Sequence, residues 1–299
     1  MPVSYGIHPE PAAVIAHLSD THLLAGGALL GGLVDTEAHL RQTAERLRVA
    51  AADAHAIVVS GDVADLGEPE AYALAREILE PVADALGAPI VWTAGNHDER
   101  TAMRAALGMR GAPRDPIDSV TEVAGLRIVA LDTSLPGWHH GGFDEGQAEW
   151  LAAALGDPPA LGSVLVMHHP SLPYRSRLMR LLEFRDELRL TEVLDGADVR
   201  AILSGHLHVD GSGTFAEIPV VLAGATSYAD DLAGPPPAMH GIDAAQSFNL
   251  VEVYTDAIAH SVVPALPHPS RETIPAHLAE QVHALDPAER MERFSRKPD

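Results

Sequence analysis

Five short stretches set oxygen and nitrogen donors at intervals along the chain: Asp20 and His22 in "HLSDTHLL", Asp62 in "VVSGDVADLG", Asn96 and His97 in "TAGNHDER", His168 and His169 in "VMHHP", and His206 and His208 in "LSGHLHVD". Asp20 and His22 are two apart, as are His206 and His208, so each pair shares one face of an extended segment. His168 and His169 are adjacent and point to opposite faces. Only one of them can serve a given centre, and parity alone does not choose. Carboxylates, an amide and imidazoles suit Mn, Fe, Zn or Co rather than Ca or Mg. The chain has no cysteine, which removes disulfides, thiolate metal sites and thiol nucleophiles. So many donors exceed the needs of one ion and suit two with a shared carboxylate, and two ions about 3.5–4 Å apart are a recurrent device for hydrolysing phosphate esters. Two dications set against Asp20, Asp62 and a hydroxide leave about one positive charge, which attracts a phosphodiester monoanion.

Each donor group stands at the end of a short apolar run. The runs are "AVIAHLS" (13–19), "HAIVVS" (55–60), "APIVWTA" (88–94), "LRIVALD" (126–132), "SVLVMH" (163–168) and "VRAILS" (199–204), and each reads as a buried strand. Helical spacing covers 35–52, 68–86, 98–107, 145–155 and 186–194. This alternation predicts a layered α/β protein, in which loops at the carboxyl ends of strands converge over one crevice. From 209 to 262 strand follows strand, which predicts a second, partly antiparallel sheet in the same domain. The proline-rich "AGPPPAMHG" (233–241) interrupts it as a loop, and after "PALPHP" (264–269) the chain reads as short polar helices. The expected division is a domain over 1–264 and a C-terminal extension over 265–299.

The bulk composition narrows the partners. The 299 residues are 46% hydrophobic, enough for a substantial core. Asp and Glu number 42 against 20 Lys and Arg, a formal charge of −22 with Lys297 the sole lysine. Nucleic-acid polymers and anionic membranes are therefore poor candidates for partners. The start "MPVSYGIHPEP" has no signal-peptide character, and no apolar run reaches the about 20 residues that cross a bilayer. A soluble cytoplasmic protein is the expectation.

The motifs "DTH", "GDVAD", "GNHD", "MHHP" and "GHLH", in this order, resemble the calcineurin-like metallophosphoesterase superfamily over about 13–262. Within it the chain is most similar to the bacterial class III cyclic-nucleotide phosphodiesterases of mycobacterial type, through "LDTSLPGWHHG" (131–141), "DVRAILSGHLH" (198–208) and "AAQSFNLVEVY" (244–254). The resemblance implies a four-layer α/β/β/α sandwich with two mixed sheets and a homodimer. It implies that Asp20, His22, Asp62 and His208 hold one metal, commonly Fe, and that Asp62, Asn96, His168 and His206 hold the other, commonly Mn, Fe or Zn, Asp62 bridging. It thereby chooses His168 over His169, which is left as a packing or outer contact. Protein phosphatases of the superfamily carry "DRG" after the bridging Asp, whereas here Leu66 stands in the arginine position, which speaks against that role.

The expected reaction is attack of a metal-bridging hydroxide on a 3′,5′- or 2′,3′-cyclic nucleotide, giving a nucleoside monophosphate. His97 is the expected general acid, with Asp98 orienting it, because that task suits an imidazole. Asn96 and His206 are expected beside the phosphate. His139 and His140, in the loop "PGWHHGGF", are further candidates, with His140 taken as the substrate contact. The run "SLPYRSRLMRLLEFRD" (171–186) is either a cationic entrance or a solvated helix face, and "AGPPPAMHG" is a candidate cap over the base. The alternatives are a broader phosphodiesterase acting on glycerophosphodiesters or other small esters, and a scaffold without catalysis. The complete donor set argues against the scaffold.

Overall fold

The computed structural model describes residues 8–272 and 274–297. Backbone contacts divide them into a unit over 11–266 and a second formed by 8–10 with 267–297. In the second unit a helix, Ala276–His283, is followed by a short turn of helix at Pro287–Arg290. No helix of the described residues is long and apolar enough to cross a membrane.

The larger unit holds two sheets. In the first, β1 (Ala13–Leu18), β2 (Ala56–Val59) and β3 (Ile90–Trp92) run parallel, β12 (Ser247–Val253) adds antiparallel to β1, and β13 (Ile258–Pro264) adds antiparallel to β12, in the order β13-β12-β1-β2-β3. The second runs β4 (Ser119–Val123), β5 (Leu126–Leu131), β6 (Ser163–Met167), β7 (Val199–Ser204), β9 (Ile218–Leu222), β8 (Gly211–Phe215), with a parallel centre and antiparallel edges. Strands β10 (Ala229–Asp230) and β11 (Gly241–Ile242) form a separate hairpin.

Strand parity sorts the core into three layers. Ile15, Val58, Ile128, Val164, Val166 and Leu203 meet between the sheets. Val14, Ile57 and Val59 face α1 (Thr36–Ala50) and α2 (Pro69–Leu86), burying Leu40, Leu47 and Leu79. Val129, Leu165, Met167 and Ile202 face α3 (Glu145–Leu155) and α4 (Glu187–Leu194), burying Leu151 and Leu190. The result is the expected α/β/β/α sandwich. The expectation of a separate sheet over 209–262 needs correcting: β8 and β9 extend the sheet of β5–β7, while β12 and β13 return to β1. Strand β4 had no place in the sequence reading.

Candidate dimetal centre

The donor residues follow directly on β1, β2, β3, β6 and β7, so both sheets deliver them to one edge. The chain must turn sharply there. Asp20, His22, Asp62, His206 and His208 all have φ between 43° and 71°, the left-handed region that residues other than glycine occupy at a cost of about 1–3 kcal/mol each and that clusters at functional sites. Glycines permit the close approach. A Cβ on Gly95 would lie 2.7 Å from Cγ of Asp62, and one on Gly205 2.5 Å from Oδ2 of Asp20.

The atoms that meet are all ligand types. Nε2 of His22 approaches Nε2 of His208 to 3.1 Å, and Asp20 Oδ1 lies 3.5 Å from the latter. Asp62 Oδ2 lies between the two halves, 3.6 Å from His22 Nε2 and 3.3 Å from His168 Nε2. The other ring nitrogens are fixed: Nδ1 of His168 donates to Ser60 O at 2.8 Å, Nδ1 of His208 to Tyr228 O at 2.9 Å, and Nδ1 of His22 to Asp65 Oδ1 at 2.9 Å. Such bonds set the tautomer and leave the Nε2 lone pairs directed inward. Nε2 of His168, Nε2 of His206 and Oδ1 of Asn96 are buried without a hydrogen-bond partner. Leaving three such atoms unmet is expensive. The nearby imidazoles and carboxylates lack sulfur and suit divalent first-row ions, so the residues fit the metals that the motifs imply.

Electrostatics separates the members. Burial opposes charge on His168, but the carboxylates of Asp62 and Asp20 and the Ser60 carbonyl outweigh it and hold the proton up to about 9. For His22, too, burial is outweighed, by Asp65, Asp62 and Asp20, and its proton is held above the ordinary histidine range. Burial, reinforced by neighbouring imidazoles, drives His206 far below that range; His208 falls to about 4 through burial, partly offset by Asp20. Burial also opposes ionisation of Asp62, yet His168, His22 and His97 keep it a carboxylate.

The model of the family described as calcineurin-like phosphoesterase matches residues 13–210. The chain belongs to that family. It is 45% identical over 257 residues to the cAMP/cGMP dual specificity phosphodiesterase of Mycobacterium tuberculosis, covering 86% of this chain and 81% of the relative. It is 42% identical over 268 residues to a probable cyclic nucleotide phosphodiesterase of Rhodococcus erythropolis, covering 90% and 89%. A dimetal phosphatase of Danio rerio shares the fold, with TM-score 0.60 at 16% identity over 86% of this chain and 98% of that one.

Within this calcineurin-like phosphoesterase the adjacent histidines separate cleanly. His168 continues the inward parity of Val164 and Val166 and reaches Asp62. His169 continues that of Leu165 and Met167: Thr133 Oγ1 donates to its Nδ1 at 2.9 Å, and its Nε2 donates to His139 O at 3.2 Å. With both nitrogens used, His169 acts as a strut under the 136–142 loop.

Two expected contacts are placed differently. Asp98 does not orient His97; its carboxylate accepts the amides of Val63, Ala64 and Gly95, tying two donor loops together. The carboxylate near His97 belongs to Asp65, with Oδ1 3.6 Å from Nδ1, and the same nitrogen donates to Asp65 O at 2.9 Å. Backbone need decides this: the "GNHD" turn leaves amides that the nearest carboxylate satisfies. His140 packs beside Trp138, with ring centroids 5.2 Å apart, whereas His139 lines the cavity and accepts from Asn96 Nδ2 at 3.0 Å. That bond fixes the amide and leaves Oδ1 of Asn96 as the atom buried without a partner.

The cavity over the cluster holds about 680 Å³ and includes His22, Asp62, Asn96, His97, His206 and His208 in its wall. The 171–186 run contributes Met179 and Leu182 rather than its arginines. Arg180 donates to Tyr174 O and Arg185 to Leu181 O, so local carbonyls hold these two.

Proposed function

We propose that the protein is a dimetal phosphodiesterase that hydrolyses 3′,5′- or 2′,3′-cyclic nucleotides to nucleoside monophosphates. The observation that carries this reading is the set of inward donor atoms, three of them buried without a partner, arranged around Asp62 at the shared edge of two sheets. Likeness at 42–45% identity to named cyclic-nucleotide phosphodiesterases supports the substrate class. In this reading Asp20, His22, Asp62 and His208 hold one ion and Asp62, Asn96, His168 and His206 the other, with Fe and Mn the preferred pair and Zn or Co compatible with the same donors. When bound, the two ions supply a nucleophile near neutral pH and positive charge for the phosphoryl oxygens.

The chain's own residues supply positioning and a proton. The Asp65 carbonyl accepts a hydrogen bond from Nδ1–H of His97 and fixes the ring, which leaves Nε2 to protonate the departing ribose oxygen. His139 fixes the amide of Asn96, and His169 holds the loop that carries His139. Asp98 keeps the loops of Asp62 and Asn96 in register.

One observation favours a second substrate. The cavity wall carries Asp230, Asp243 and the ring of Tyr228, which suit a quaternary ammonium and hence glycerophosphocholine. Steady-state assays of the Mn-loaded protein with cAMP, 2′,3′-cyclic AMP, glycerophosphocholine and bis-(p-nitrophenyl) phosphate decide between them. A cyclic nucleotide with the highest kcat/KM among the natural esters is the expected result, and a higher value for glycerophosphocholine overturns the reading.

A further inference from the structure

Beyond the donor cluster, the cavity is built from two kinds of residue. Leu30, Leu33, Met179, Leu182, Met239 and Ile242 make an apolar wall, and Asp230 and Asp243 interrupt it; no Lys or Arg occurs among the described residues lining it. At about 680 Å³ it falls in the range of small-molecule sites, which combine apolar walls with a few polar groups that fix orientation. The hairpin of β10 and β11 and its following turn supply Asp230, Met239, Ile242 and Asp243. Of these, Met239 lies in the proline-rich 233–241 loop that the sequence marks as a candidate cap, and the others flank it.

Asp243 is held in a defined way. Its Oδ1 accepts from Gln246 Nε2 at 2.8 Å and lies 3.4 Å from His39 Nε2, and the Gln246 amide and the His39 ring are both anchored on the Ser227 carbonyl. Ser227 is in turn bonded through its hydroxyl and amide to Asp20 O, so the anchor runs back to the donor cluster. Half of the Asp243 side chain remains exposed, at 51%. Among the described residues its second carboxylate oxygen, Oδ2, has no hydrogen-bond partner, and the residue lines the same cavity as His206, whose Nε2 is buried and unpartnered.

We infer that Asp243 is a specificity-determining residue, whose Oδ2 accepts a hydrogen bond from an N–H or O–H donor on the nucleoside while Met239, Ile242 and Leu33 cover its apolar face. This rests on the cyclic-nucleotide reading above. An acidic wall without cations disfavours a second anionic group and accepts a neutral substituent that carries donors. In 3′,5′-cyclic AMP two groups have this chemistry, the 6-amino group of adenine and the ribose 2′-hydroxyl.

The test is a cycle of substrates and variants with the Mn-loaded protein. The substrates are cAMP, 2′-deoxy-cAMP and purine riboside 3′,5′-cyclic phosphate, which lacks the amino group, with bis-(p-nitrophenyl) phosphate as a probe without a nucleoside. The wild-type protein is expected to lose about 5–20-fold in kcat/KM, mostly through KM, on the one analogue that lacks the donor Asp243 reads. Asp243→Asn must keep its oxygen on Gln246 and present an NH₂ to the cavity, a donor facing a donor. Activity on cAMP, relative to bis-(p-nitrophenyl) phosphate, is therefore expected to fall in the order wild type, Asp243→Ala, Asp243→Asn, and both variants lose the discrimination between cAMP and the deficient analogue. Calorimetric affinity for AMP follows the same order. Retained discrimination in both variants, or Asp243→Ala worse than Asp243→Asn, overturns the inference and leaves the function standing. A wild-type protein that cleaves bis-(p-nitrophenyl) phosphate but no cyclic nucleotide overturns the functional reading, and this inference with it.

Discussion

His168 and His169 show how much a single strand position decides. His168 Nε2 faces Asp62 with no other partner, whereas both nitrogens of His169 are occupied by Thr133 and the His139 carbonyl. His168→Ala is expected to lose one of two metals on dialysis, and His169→Ala to retain both while melting lower, as elemental analysis and calorimetry will show. His97 and Asp65 differ in another way. His97→Ala is expected to lower kcat on cAMP by about 10²–10⁴-fold but far less on bis-(p-nitrophenyl) phosphate, whose leaving group needs no proton. Equal losses on both substrates contradict its role as acid. Asp65→Asn keeps the backbone acceptor for His97 but removes the carboxylate from His22, so its expected first effect is weaker metal binding, about 10–100-fold.

At the scale of elements, the sheet edge works because its turns are tight. Gly95→Ala drives a Cβ into Asp62, and Gly205→Ala drives one into Ser19 and Asp20. Both variants are expected to lose metal and melt lower, and normal metal content in either contradicts the packing described. The strands and helices that carry the donors were readable in the sequence because each is a local pattern: an apolar run, a glycine, a donor. The pairing of β12 with β1 was not, since it joins residues more than two hundred positions apart and leaves no local trace. Strand β4 is short, half-exposed and mixed in character, and so escaped the pattern. The same limit applied to the site. Asp65 lies inside the quoted "GDVAD" motif, yet its two imidazole contacts exist only once β1, β2 and β3 are side by side. Asp98 and His140 are adjacent in sequence to His97 and His139, but adjacency does not fix where a side chain goes: Asp98 accepts three backbone amides and His140 packs beside Trp138.

For the whole molecule, protons and metal ions compete for the same donor cluster. With the proton on His168 held up to about 9, against 6.5 for an unperturbed ring, the protonated imidazole stabilises the metal-free fold at low pH, and this contribution is lost as pH rises through about 9. Metal must displace that proton, so binding releases protons and strengthens with pH. The gain in Tm on adding Mn²⁺ is therefore expected to be larger at about pH 8.5 than at about pH 6.5, and differential scanning calorimetry checks it. The excess of acidic residues, −22 in formal charge, extends to the cavity wall and leaves the ions as the main positive charge offered to a phosphate. The most direct test of that claim is AMP formation from cAMP followed while Mn²⁺ is titrated into the metal-free protein. The account predicts activity that rises to a plateau at about two equivalents per chain. No AMP at any ratio, or a plateau at one equivalent, contradicts it.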